Sequence, residues 1–204
     1  MRIGIDVGGT HTDAVILKGD TVVAVTKALT TADVVSGISK ALDEILSIGG
    51  VKEQQIETVM IGTTQFTNAV IERRSLTRMA AVRIGLPSGQ GMPPMIDWPT
   101  DMKSALNAQV HMMHGGYLYD GHLLAPLRDD EIKALIKDLQ KENIKNISIA
   151  SAFSPMNAEP EIKVAQAIKA AMPDAQITLS HEFGRLGLME RENASILNLS
   201  LIHI

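Results

Sequence analysis

The sequence predicts a mixed α/β fold: an antiparallel meander of three strands leading into alternating helices and strands. Three observations carry this. Runs of strand composition open the chain at Arg2–Val7, Asp13–Lys18 and Thr21–Lys27, the last two split by Gly19-Asp20, a two-residue turn signal. Apolar residues then recur at helical and strand spacing in turn along most of the remaining chain. No internal repeat or low-complexity tract breaks that rhythm.

The elements follow in order. Asp33 can cap a helix whose Val34, Val35, Ile38, Leu42, Ile45 and Leu46 fall on one face, and Gly49-Gly50 stop it. Ile56–Ile61 reads as a strand, Gly62-Thr63-Thr64 as a tight turn and Gln65–Arg74 as a helix, with Thr77–Ile84 the next strand. Residues 85–100 carry no periodicity, and Asn107–Pro126, with turns at Gly115-Gly116 and Asp120-Gly121, predicts a small β element. The rhythm resumes with a helix over 129–143, opened by Asp129-Asp130-Glu131 at the positive end of its dipole. Strand Asn146–Phe153, a helix over 159–171, strand Gln176–Ser180 and a helix over 188–199 complete the chain. The expected division is a first lobe over 1–84, an excursion over 85–126 and a second α/β segment over 127–204.

Composition excludes several function classes. The chain has 204 residues and a net charge of −4, and its 19 Lys and Arg are scattered, so there is no basic patch for nucleic acid. Aromatics at 3% leave no stacking platform for single strands. The absence of cysteine removes disulfides, iron–sulfur clusters, thiolate zinc sites and cysteine nucleophiles. No apolar run approaches the ~20 residues a membrane span needs, and the N-terminus lacks a signal-peptide pattern. The chain is read as cytoplasmic.

Two stretches carry candidate chemistry. In I-G-I-D-V-G-G-T-H-T-D-A-V, Gly8-Gly9 join two strands, with Asp6 before them and Thr10, Thr12 and Asp13 after. Two readings stand: a hairpin whose glycines permit positive φ, or a cradle whose bare backbone admits a phosphate while a carboxylate holds Mg2+ through its waters. The spacing is neither G-x-G-x-x-G nor a Walker loop. In I-G-T-T-Q-F-T-N-A-V-I-E-R-R, Gly62, Thr63 and Thr64 end a strand and begin a helix, with Thr67 and Asn68 one turn on. That position suits either an anion at a helix N-terminus or an ordinary N-cap. Two Gly/Thr-rich strand ends in one lobe support each other, since ligands bind at strand ends in α/β sheets.

Together these two stretches resemble the N-terminal region of the hydantoinase A/5-oxoprolinase family. Further segments match in order: Ile147–Ser154 followed by Asn157-Ala-Glu-Pro-Glu161, Leu179-Ser-His-Glu-Phe183, and the stretch from Glu190-Arg191 to Asn198. The resemblance spans nearly the whole chain and is weakest over 85–126. It implies an actin-like, ribonuclease H-like nucleotide-binding lobe of βββαβα order, matching the order read from the residues. It implies ATP-dependent hydrolysis of a cyclic amide, with the lactam activated by phosphoryl transfer before ring opening, and a B-type partner subunit. The cofactors expected are ATP and Mg2+. Asp6 and Asp13 are the candidate catalytic residues, with Asp6 holding Mg2+ through water. Gly8, Gly9, Thr10 and Thr12 are the candidate nucleotide cradle, and Gly62, Thr63, Thr64 and Asn68 the second phosphate or substrate loop. Acetone carboxylase subunits are relatives, and a small-molecule kinase of the same fold is the alternative enzyme. Family members continue far beyond this length, and Leu199–Ile204 is apolar and uncapped. The chain is therefore expected to be a fragment holding half of an ATP site, and a non-catalytic nucleotide-binding role is the third reading.

The remaining candidates are weaker. His111, His114 and His122 fall close together, but strand positions three apart face opposite sides, which favours a polar hairpin over a metal site. Ser180-His181-Glu182 are adjacent in sequence, whereas catalytic triads converge in space. As a strand-end cluster they are a candidate pocket lining. Glu190 and Arg191 read as a solvated or packing helix face.

Overall fold

Ile3, Ile5 and Val7 alternate with Gly4 and Asp6, so strand Arg2–Val7 (β1) turns one apolar face to a core and the other outward. His11–Lys18 (β2) likewise buries Thr12, Ala14 and Ile16, and Thr21–Leu29 (β3) follows a turn in which Gly19 takes φ 61°. Helix Val34–Gly49 (α1) starts where the Asp33 carboxylate accepts the Ser36 N–H at 3.2 Å, and ends at Gly50 in the left-handed region. Strand Thr58–Thr63 (β4) and helix Gln65–Glu72 (α2) complete a unit running from Met1 to Glu72. The computed structural model describes residues 1–31 and 33–201, and its second unit runs from Arg73 onward.

The first unit holds one sheet of order β3-β2-β1-β4, with β1 antiparallel to β2 and parallel to β4. Helix α1 lays Val34, Ile38, Leu42, Ile45 and Leu46 against Ile3, Ile5, Val7, Ala14 and Ile16. Each such side chain contributes roughly 1.5–3 kcal/mol when fully buried. The opposite face, carrying Gly4 and Asp6, stays open. This is the mixed sheet of a ribonuclease H-like lobe in the expected βββαβα order. One boundary differs: β4 runs through Thr63 instead of stopping at Ile61, because Gly62 and Thr63 pair with Asp6 and Val7. Only Thr64 is left for the turn.

The second unit is a parallel sheet of order β6-β5-β7-β8, built from Ala80–Leu86 (β5), Gln109–His114 (β6), Asn146–Ser151 (β7) and Gln176–Leu179 (β8). Its helices are Thr100–Leu106 (α3), Asp129–Lys141 (α4), Glu159–Ala171 (α5) and Leu188–Ser200 (α6). Ala80, Val82 and Ile84 face one core with Ile132, Leu135, Leu139, Val164 and Ile168 of α4 and α5. Met79 and Ala81 share a second core with Leu106 of α3 and with Ile196 and Leu199 of α6. Helices thus cover both faces, as parallel sheets require.

Two expectations are corrected. The strand read at Thr77–Ile84 begins at Ala80 and belongs to this second sheet, not to the first lobe. Its residues Ala80–Gly85 are all buried, as suits a central strand that pairs on both edges. The excursion over 85–126 contains α3 and β6, and β6 is an edge strand parallel to β5, so this segment completes the second sheet. Only the Tyr117–Leu123 bridge forms the small antiparallel element expected there. The expectation about the chain end falls partly on 202–204, outside the described residues; α6 itself is closed by the Leu201 N–H on the Asn198 and Leu199 carbonyls. Among the described residues no helix is long and apolar enough to cross a membrane.

Candidate nucleotide site at the first hairpin

The hairpin register sets the site. Asp6 pairs with Asp13 across β1 and β2, Asp13 pairs with Lys27 on β3, and Asp6 pairs with Gly62 on β4. Paired residues share a face, so Lys27, Asp13, Asp6 and Gly62 form one row across all four strands, on the side away from α1. Lys27 Nζ lies 3.0 Å from Asp13 Oδ1, and this exposed pair answers one of the two carboxylates. Asp6 is exposed, and its carboxylate has no hydrogen bond or ion pair among the described residues. A Cβ built on Gly62 would lie 3.9 Å from Asp6 Oδ1, so the glycine keeps the carboxylate uncovered on that side. Asp6, Asp13 and Gly62 line a hollow of about 510 Å3 with Gly4, Val15 and Met60.

The backbone of the turn bears on why glycine stands at positions 8 and 9. Neither glycine has positive φ, so the left-handed region is not why glycine stands there. Space is the reason: a Cβ on Gly8 would come within 3.0 Å of His11 O, and one on Gly9 within 2.9 Å of Asn68 Nδ2. The Gly8 N–H closes the hairpin on His11 O at 2.9 Å, while the N–H groups of Gly9 and Thr10 have no protein acceptor among the described residues. The hairpin tip therefore presents two bare backbone donors beside Asn68.

The second loop braces this tip. Thr63 Oγ donates to Val7 O at 3.1 Å and accepts the Gln65 N–H at 3.1 Å, while Gln65 Nε2 donates to Gly8 O at 3.2 Å. The Thr64 N–H also reaches Val7 O, and its carbonyl accepts the Asn68 N–H at 2.9 Å. Gly8, Gly9, Gly62, Thr63, Thr64 and Asn68 are thus brought together at the carboxyl ends of β1 and β4. The Thr10 hydroxyl is exposed beside His11 Nδ1. Thr12 is different: it is buried, with its Oγ 3.2 Å from Thr30 Oγ, because it pairs with Val7 on the core-facing row. Its hydroxyl braces the β3 end and does not join the row of Asp6. Reading the turn alone missed Thr30 and Gln65, which both donate to Gly8 O.

The other candidates separate. His111 and His114 lie on β6, His114 is held by Glu131 at 2.6 Å, and exposed His122 pairs with Asp120 at 3.0 Å. Among the described residues no group of three or more His, Cys, Asp or Glu could hold a metal ion. His181 does not bond Ser180; both bond Glu161, at 2.7 and 2.6 Å. Arg191 is buried, not solvated, and donates to Ser151 O at 2.9 Å.

The model of the hydantoinase/oxoprolinase N-terminal region matches residues 2–172. The chain belongs to that family. Its similarity to the caprolactamase subunit alpha of Pseudomonas jessenii is 25% identity over 221 residues, covering 98% of this chain and 31% of that protein. The crystal structure of the ATP-dependent caprolactamase from that organism superimposes with a TM-score of 0.76 at 23% identity, over 98% of this chain and 31% of the other. Nucleotide-free acetone carboxylase gives 0.75 at 20% identity, over 99% of this chain and 32% of the other. These likenesses establish the fold of this family member, which spans about a third of the length of these relatives.

Proposed function

We propose that the chain supplies the first phosphate-binding part of an ATP site in an ATP-dependent cyclic-amide hydrolase subunit of hydantoinase/oxoprolinase type. The observation that carries this is the hairpin tip: two free backbone N–H groups, glycines placed for space, and an unpaired carboxylate in the adjoining row. Family membership and the likeness to an enzyme named an ATP-dependent caprolactamase support the same reading.

The residues fit the group. Asp6, unpaired and exposed, would hold Mg2+ through its waters, while Lys27 offsets the charge of Asp13 so that two carboxylates can stand side by side. The N–H groups of Gly9 and Thr10 would take phosphate oxygens, with Gly62, Thr63, Thr64 and Asn68 forming the facing wall. Mg-ATP, when bound, supplies the phosphoryl group that makes an amide oxygen a competent leaving group. The chain's task is then to position and to neutralise charge, which this rigid, cross-braced strand end suits. The ring-opening activity belongs to the longer protein, with a B-type subunit as partner, as the name subunit alpha of the relative suggests.

Calorimetry with Mg-ATP on the 204-residue chain tests this. Heat of binding is expected, at least tenfold weaker in affinity for Asp6→Asn and dependent on Mg2+. Absence of binding to the unmodified chain at millimolar nucleotide contradicts the reading.

A further inference from the structure

The Gly8–Gly9 peptide carries one of the two bare donors at the hairpin tip, and its carbonyl is fixed from two sides. Thr30 Oγ donates to Gly8 O at 2.9 Å, and Gln65 Nε2 donates to the same oxygen at 3.2 Å. The donors come from different elements: Thr30 follows β3 and Gln65 opens α2. Both lone pairs of the Gly8 oxygen are then taken. Thr30 has a second hold on the tip, since its N–H donates to Thr10 O at 2.9 Å. Its hydroxyl proton is committed to a carbonyl, which can only accept. The Thr12 hydroxyl, 3.2 Å from Thr30 Oγ, must therefore be the donor of that contact. Buried Thr12 thus starts a chain of donors that runs through Thr30 and ends on Gly8 O.

These bonds decide which way one N–H points. In a trans peptide the carbonyl and the N–H face opposite sides, and the Gly8–Gly9 bond is trans. A Gly8 oxygen held toward Thr30 and Gln65 turns the Gly9 N–H away from both, to the side where it meets no protein acceptor among the described residues. The restraint is needed because of the glycines. Gly8 and Gly9 stand there for space, yet glycine takes either sign of φ at little cost, so a Gly-Gly peptide can turn over. Turned over, it would offer an anion the lone pairs of an oxygen in place of a hydrogen. The next peptide shows the contrast. Gly9 O accepts no hydrogen bond among the described residues, so the Thr10 N–H is not set in the same way.

We propose that Thr30 is a positioning residue of the phosphate cradle, and that with Gln65 it holds the Gly8–Gly9 peptide in the orientation that accepts an anion. The identity of the anion rests on the nucleotide reading above; the orientation is set by bonds within the chain. Neither side chain touches the phosphate. Each acts through the Gly9 N–H, which is in place before the ligand arrives.

The test compares Thr30→Val, Thr30→Ser and Gln65→Met in the 204-residue chain, with Mg-ATP and magnesium tripolyphosphate as calorimetric probes. Thr30→Val keeps the side-chain shape and loses the hydroxyl. Its affinity for both probes should fall about fivefold, the scale of one neutral hydrogen bond, and Gln65→Met should match it. Thr30→Ser, which keeps the hydroxyl, should stay within about twofold of the unmodified chain. Before any ligand is added, the 13C resonance of the Gly8 carbonyl should shift in Thr30→Val and return in Thr30→Ser, a pattern that a general loss of stability would not produce. Unchanged affinity in Thr30→Val and Gln65→Met, an unmoved Gly8 carbonyl, or no rescue by serine overturns the proposal. The nucleotide reading is judged separately. Tripolyphosphate binding that depends on Thr30, with no binding of Mg-ATP, would sink that reading alone. Mg-ATP binding indifferent to Thr30→Val would sink this one alone, and an unmodified chain that binds neither probe would sink both.

Discussion

At the scale of single residues, the first hairpin shows glycine used for room. Gly62 faces Asp6 along a cross-strand row, and a side chain there would meet the carboxylate at ordinary contact distance without disturbing the backbone. Gly62→Val should therefore keep the thermal midpoint within a few degrees, since valine suits a strand. Its Mg-ATP affinity should still drop at least tenfold, about 1.4 kcal/mol. Calorimetry and a thermal melt of the same preparation check both halves. His111 offers a prediction of a different kind. Its Nε2 is buried without a partner, and burial holds its pKa below the ordinary 6.5, with Asp138 opposing weakly. The unfolded chain then takes up a proton that the folded chain refuses. Stability is complete above about pH 6.5 and is lost as pH falls below that value toward the depressed folded one. Urea unfolding between pH 7.5 and 5 should show this loss, and His111→Gln should flatten the slope.

At the scale of elements, the caps and alternations were legible and the pairings were not. Asp33 and Gly50 bound α1 as their chemistry dictates, and Arg2–Val7 forms the strand its composition predicts. The row of Asp6 and Asp13 was also within reach: a hairpin closing on Gly8 and His11 places 7 opposite 12 and 6 opposite 13. By the same count Thr12 falls on the inner row, so its hydroxyl could have been set aside from the register alone. Helix α3 escaped because seven residues barely complete two turns, and β6, Q-V-H-M-M-H, has no clean alternation. The buried charges escaped for a deeper reason. Glu161, Glu192, Arg83 and Arg191 read as surface residues until distant partners bring them inside. Arg83 on β5 and Glu192 on α6 pair through two hydrogen bonds, each side chain 2% exposed. Removing one partner strands the other charge, so Glu192→Ala should destabilise the second unit by about 3–5 kcal/mol. The denaturation midpoint reports it, and a change under 1 kcal/mol would contradict the assignment.

At the scale of the whole molecule, the chain is two α/β units of different construction, one a mixed sheet open on one face and one a parallel sheet covered on both. It spans about a third of the relatives it resembles, so the account separates binding from turnover. The 204-residue chain is expected to bind nucleotide without hydrolysing lactams. The most direct measurement is a backbone amide spectrum of the chain titrated with Mg-ATP. The account predicts that the Gly9 and Thr10 amides move most, followed by those of Gly62 to Thr64, and that Asp6→Asn abolishes the Mg2+-dependent part. Unmoved hairpin amides at saturating nucleotide, or movement confined to residues 73–201, would contradict it.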